Sequence, residues 1–167
     1  MPVISVTLVT RRLPSERRIT CTIRPTAEAI WPRMASGDSA MPPMATIHAN
    51  TPRDALSRLE QMIGMAGMPM TIASIRGQIA AAIRGIVQLQ RLSDGKRVVT
   101  SIAEITGLEG DIIQMQEIFK YVRTGTAEDG TVQGHFQATG VRPRFLSELT
   151  AKGIIVPAGH FDPTKPL

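Results

Sequence analysis

A histidine that closes a short β-type run, three residues before a helix cap, is the arrangement in this chain most able to do chemistry. The stretch is MATIHANTPRDALSRLEQM, Met44 to Met62. A neutral imidazole both donates and accepts. The first turn of a helix offers backbone N–H groups and the positive end of the helix dipole. His48, delivered beside that turn by a strand, could meet a phosphate at its oxygens or at an attacking water. Spacing also allows a quieter role, a partly buried histidine that orients the loop by hydrogen bonding. Strand-to-helix turns are common, so on spacing alone the quieter role leads by roughly two to one.

The other polar residues offer less. His48, His135 and His160 lie far apart, with no Cys or Glu at ligand spacing, so no metal site is expected. Glu109 and Asp111 flank Gly110 between two strands and read as solvated turn carboxylates. Arg53, Arg58 and Arg76 fall on helices and could reach a phosphate, although surface ion pairing is the commoner fate of helix arginines. No Ser-His-Asp or Cys-His arrangement is suggested. No G-x-x-x-x-G-K-[ST] segment occurs, so the usual cradle for ATP phosphates is missing from these residues.

The elements that must position His48 are legible around it. Ala45–Ala49 reads as a strand. Thr51 caps a helix, with Pro52 at its first position and Asp54 three residues after the cap. Leu56, Leu59, Met62, Ile63 and Ala66 share one face, and Gly67 with Pro69 ends the helix. A second helix starts near Thr71. Its apolar stripe is Ile72, Ile75, Ile79, Ala82 and Ile83, and Gly85 is expected to stop it. The period then changes. GIVQLQRL, the turn SDGK and RVVTSIAEI form a hairpin. DIIQMQEIFKYVR alternates, with Ile113, Met115, Phe119 and Tyr121 on one face. TAEDGT then returns the chain into VQGHFQAT as a second hairpin. RPRFLSELTAKG reads as a short closing helix, with Pro143 near its start and Gly153 past its end.

Composition bounds the rest. The chain has 167 residues, one domain's worth, and is 43% hydrophobic but only 4% aromatic, so its core must be aliphatic. The net charge is +5, unevenly spread: Met1–Met44 carries six Arg against three acids, and the remainder is nearly balanced. Such a balance suits an acidic partner. The single cysteine, Cys21, cannot close an internal disulfide, no run of about 18 apolar residues exists, and the apolar start PVISVTLV lacks a preceding basic residue. A cytoplasmic protein is therefore expected. Residues 1–44, punctuated by six prolines, show no sustained period beyond one strand around Arg18–Ile23. They are expected to be an atypical segment, disordered or the remnant of a frame-disrupted sequence. The ordered part is expected at 45–157, and 158–167 as a flexible tail.

Four segments together, ATIHANTPRDALSRLE, IRGQIAAAIRGIVQLQRLSDGKRVV, EITGLEGDIIQMQEIF and ATGVRPRFL, resemble in order the C-terminal part of the type II/IV secretion ATPases. The nearest branch is the CpaF/TadA-like motor of tight-adherence (Flp/Tad) pili. The resemblance covers Ala45 to about Pro157. It implies an α/β fold, the C-terminal half of a RecA-like P-loop ATPase domain with appended β-hairpins and a short C-terminal helix. It places His48 in the family's His box near the γ-phosphate, as the catalytic residue. Thr46, Asn50, Thr51 and Arg76 follow as cofactor-binding residues. ATP and Mg²⁺ are the cofactors of the full-length family, and none is expected to bind tightly to this chain alone. The implied partners are a homo-hexamer or full-length motor subunits and the inner-membrane secretion platform, with a location peripheral to that membrane. The chain departs from the family in lacking Walker A and the Walker B acid. AEAI, Ala27–Ile30, resembles the segment just after Walker B, whereas Pro42-Pro43 replaces a Gly-Ser. Two other readings stand beside this one. One is a non-catalytic regulatory subunit that joins a full-length motor. The other is a basic nucleic-acid-binding module, which no aromatic platform or recognition helix supports, so no specific nucleic acid is expected.

Overall fold

The computed structural model describes residues 5–10, 44–67 and 69–165. Along the chain these form β1 (Ser5–Thr10), β2 (Met44–His48), α1 (Pro52–Met65), α2 (Ile72–Ala82), β3 (Ile83–Arg91), β4 (Arg97–Glu109), β5 (Ile112–Thr126), β6 (Val132–Ala138) and α3 (Leu146–Ala151). A 3-10 turn, Ala158–Phe161, follows. The fold is mixed helix and strand. One sheet runs β2-β1-β3-β4-β5-β6, and every described pairing in it is antiparallel.

Strands β3 to β6 form a meander, two of whose turns repeat one piece of chemistry. In the β3–β4 turn the N–H of Leu92 donates to the Lys96 carbonyl at 2.8 Å and that of Gly95 to Leu92 at 3.0 Å. In the β5–β6 turn Ala127 donates to Thr131 at 2.8 Å and Gly130 to Ala127 at 2.9 Å. The closing glycines adopt φ of +88° and +83°, a conformation that costs residues with a Cβ more than it costs glycine. Asp94 and Asp129 each accept from the backbone N–H two residues on, the expected behaviour of a turn aspartate.

Helices α1 and α2 cover one face of the sheet. Leu56 of α1, Ile75 and Ile79 of α2, and Ile47, Ile83, Ile86, Ile105 and Ile113 of the strands form one buried cluster. Ile75, Ile79 and Ile83 recur every four residues and line the buried side of α2. Ile72, expected on the same stripe, is instead 63% exposed at the first turn. The expected stop at Gly85 also moves. Ile83 donates its N–H to Ile79 as the helix cap yet already has extended dihedrals (φ −93°, ψ 127°), so helix passes into strand with no linker. Gly85 lies inside β3, where an added Cβ would come within 3.3 Å of the Ala103 carbonyl oxygen.

Two further expectations change. Alternation in β5 breaks at a bulge: Ala103 pairs with Glu117 and Ile102 with Phe119, leaving Ile118 as the extra residue. Ile118, rather than Phe119, is the fully buried residue there. Part of the N-terminal segment also joins the sheet, since β1 pairs with β2 on one side and β3 on the other. The strand expected at Arg18–Ile23, Cys21 and the Ala27–Ile30 segment lie outside the described residues.

The opposite face of the sheet is covered by the C-terminal segment. Glu104 and Ile105 are neighbours in a regular part of β4 and so point to opposite faces. Ile105 joins the helix-covered cluster, whereas Glu104, 4% exposed, accepts from the N–H groups of Arg144 (2.7 Å) and Phe145 (3.1 Å) at the entrance to α3. Arg84 pairs with Glu148 of α3 at 2.8 Å. The stretch expected to trail as a tail packs down instead. Phe161 is buried with its ring centroid 5.6 Å from Phe119, which stacks in turn on Phe136 at 5.6 Å. An aromatic ring with a hydrophobic surface in reach gains by covering it.

Candidate functional site

His48 is the last residue of β2, paired with Ser5 of β1. Ile47 is the buried residue of that strand and belongs to the helix-covered core. Alternation therefore puts Thr46 and His48 together on the other face, and both are exposed. The chain then turns through Ala49 and Asn50 into Thr51, the cap of α1. Thr51 has extended dihedrals, and its Oγ1 accepts from the Asp54 N–H at 3.1 Å. Ala55 donates to the Thr51 carbonyl at 3.1 Å. The cap chemistry expected from Thr51, Pro52 and Asp54 is thus the chemistry that forms.

Two side chains from elsewhere hold the turn. Arg58, on the exposed side of α1, donates from Nη1 to the His48 carbonyl at 3.1 Å. Gln88 of β3, 6% exposed, donates from Nε2 to the Asn50 carbonyl. A buried amide without a partner would cost free energy, and Gln88 meets that demand by fastening the loop to the sheet interior. Sequence reasoning did not single out Gln88. The signal was its position two residues after Ile86 in an alternating strand, which sets a polar group on the buried side.

Arg76 is engaged at another place. Its Nε lies 3.1 Å from both carboxylate oxygens of Glu60, and its Nη1 donates to the Asp111 carbonyl at 3.0 Å. It therefore ties α1 and α2 to the β4–β5 turn, while His48, Asn50 and Thr51 gather at the β2–α1 turn. Glu109, the last residue of β4, accepts from Gln114 at 3.0 Å. His135 pairs opposite Val122 in the sheet and His160 sits in the 3-10 turn, so the three histidines occupy separate elements. Among the described residues no group of three or more His, Cys, Asp or Glu side chains is placed to hold a metal ion.

The Asp94 carboxyl is held below the usual aspartate range, first by the N–H of Lys96. Burial opposes that effect, and the Val132 N–H and the Lys96 ammonium add to it. Asp129 is lowered chiefly by the N–H of Thr131, and Asp162 by the hydroxyl and N–H of Thr164. These are turn-stabilising carboxylates.

Against family models the chain finds no match, and no curated protein matches it. No helix among the described residues is long and apolar enough to cross a membrane.

Proposed function

We propose that this chain is the C-terminal part of a hexameric secretion or pilus-assembly ATPase of the type II/IV class, and that it is not catalytic by itself. The observation that carries the reading is the β2–α1 turn. A strand ends in an exposed His48, and a Thr51-capped helix begins three residues later. The resemblance assigns its His box to this turn. The antiparallel meander and α3 correspond, on this reading, to the family's C-terminal extension. The RecA-like strands that carry the nucleotide loop would belong to the rest of the motor.

On this reading the nucleotide site is not complete within this chain. The lysine and glycine loop of Walker A have no counterpart in the sequence. Arg76 is held by Glu60 and the Asp111 carbonyl, and the first-turn N–H groups of Asp54 and Ala55 already donate to Thr51. His48 is then this chain's contribution to a site completed by other residues, at the inner face of the membrane where the motor's platform sits.

Three measurements test this. The purified 167-residue chain is expected to show no ATP hydrolysis, and robust turnover would overturn the reading. In an intact relative, changing the matching histidine to alanine is expected to lower turnover about 10- to 150-fold, the loss of one hydrogen bond to a charged group. Translation of the upstream DNA in all frames is expected to reveal a GK[ST] segment.

A second reading, a regulatory subunit that joins full-length motors, is favoured by the sheet edge. Strand β2 ends the described sheet and has no Lys, Arg, Asp or Glu, no proline and no bulge, the features that usually block edge pairing. Co-purification with a full-length paralogue would support that reading.

A further inference from the structure

We infer that Gln88 and Arg58 are positioning residues for the His48 site, a role that rests on the secretion-ATPase reading above. The first turn of α1 has few N–H groups left to present. Pro52 has none, and those of Asp54 and Ala55 donate to Thr51. What the site can offer a phosphate therefore depends on the imidazole, the Arg53 N–H and the loop amides of Ala49, Asn50 and Thr51. Those amides point where the loop carbonyls do not, because C=O and N–H of a trans peptide are antiparallel. Gln88 draws the Asn50 carbonyl toward the sheet interior, which turns the Thr51 N–H away from it. Arg58 holds the His48 carbonyl and so sets the Ala49 N–H in the opposite sense. The two donors come from different elements, β3 and α1, and fasten the carbonyls on either side of Ala49. An exposed arginine on a helix more often extends toward solvent or a carboxylate. Here it folds back onto backbone ten residues away.

The test has two arms. In the full chain, backbone ¹⁵N order parameters of Ala49 to Thr51 are expected near the rigid value of about 0.85 and to fall toward about 0.6 in Gln88→Leu and in Arg58→Met. Those of Leu56 to Met62 should stay unchanged. Arg58→Lys, which keeps a donor, should restore the loop. Order parameters unmoved in both variants would overturn the inference. Where Gln88→Leu fails to fold, Arg58→Met on the exposed helix face decides the question. In an intact relative with the same residues, the matching Gln→Leu change is expected to lower kcat about 10-fold with KM within about 2-fold, since misplacing a group acts on the reacting geometry. An unchanged kcat there, alongside a large loss in the histidine variant, would overturn the positioning role and leave the ATPase reading standing. Full turnover of the histidine variant would overturn that reading instead, whatever the loop order parameters show.

Discussion

The two faces of the sheet are covered by different physics. On one, α1 and α2 bury an aliphatic cluster of Leu56, Ile75, Ile79, Ile86, Ile105 and Ile113, with no charged member. On the other, the C-terminal segment is held by direction: Glu104 receives two backbone N–H groups, Arg84 meets Glu148, and Phe161 lies on Phe119. Area removed from water is non-directional and forgiving of sequence. Carboxylate-to-amide bonds depend on register, and losing one partner leaves the other unsatisfied. The helix-covered face should therefore set global stability, and the second face should open locally.

Substitutions that remove one kind of support and leave the other can break this comparison. The largest effect is expected at Ile86, 0% exposed at the centre of the helix-covered core. Ile86→Ala should lower unfolding stability in urea by about 2–5 kcal/mol, and Ile86→Val by about 0.5–1.5 kcal/mol. Next is Glu104→Ala, expected to cost about 1.5–3 kcal/mol, the worth of hydrogen bonds to a charged group. Its signature should be local. Limited proteolysis should cut between 143 and 165 while amides of α1 and α2 keep their protection. Equal loss of protection in α2 would mean that the two faces form one cooperative unit. The smallest effect is expected from acid. Asp94, Asp129 and Asp162 bind protons less readily folded than unfolded. Their contribution is complete above the usual aspartate range and is lost as pH falls through their lowered values. Acid titration by NMR should show the two hairpin turns and the Asp162 turn responding at lower pH than an unstructured aspartate. A response at the ordinary aspartate pH would remove the proposed support.

What was legible in the sequence was chemistry between near neighbours. Thr51, Pro52 and Asp54 specify a cap within four residues, and Asp94-Gly95 and Asp129-Gly130 specify turns within five. What was hidden depended on partners far along the chain. Glu104 stands 40 residues from the N–H group of Arg144 that it accepts, and Gln88 stands 38 residues from Asn50. Ile83 fits a helical stripe and a strand equally well, so the join between α2 and β3 has no punctuation. The Ile118 bulge is invisible to any strict period of two. For the site, the turn around His48 was legible and the engagement of Arg76 by Glu60 was not, because an arginine's partner is fixed only once α1 and α2 are packed.

The place of β1 has a consequence for the order in which the sheet can be assembled. β3 to β6 are joined by short turns, so their pairing requires only local loop closure. β1 precedes the meander in the chain, yet it is flanked by β2 and β3, and Ile83, the partner of its Thr10, is 73 residues later. Closing so long a loop is slow compared with closing a hairpin. The meander can therefore register early, with its β3 edge left open until β1 reaches it. Because β1 bridges β3 and β2 among the described residues, the strand that presents His48 joins the sheet after β1.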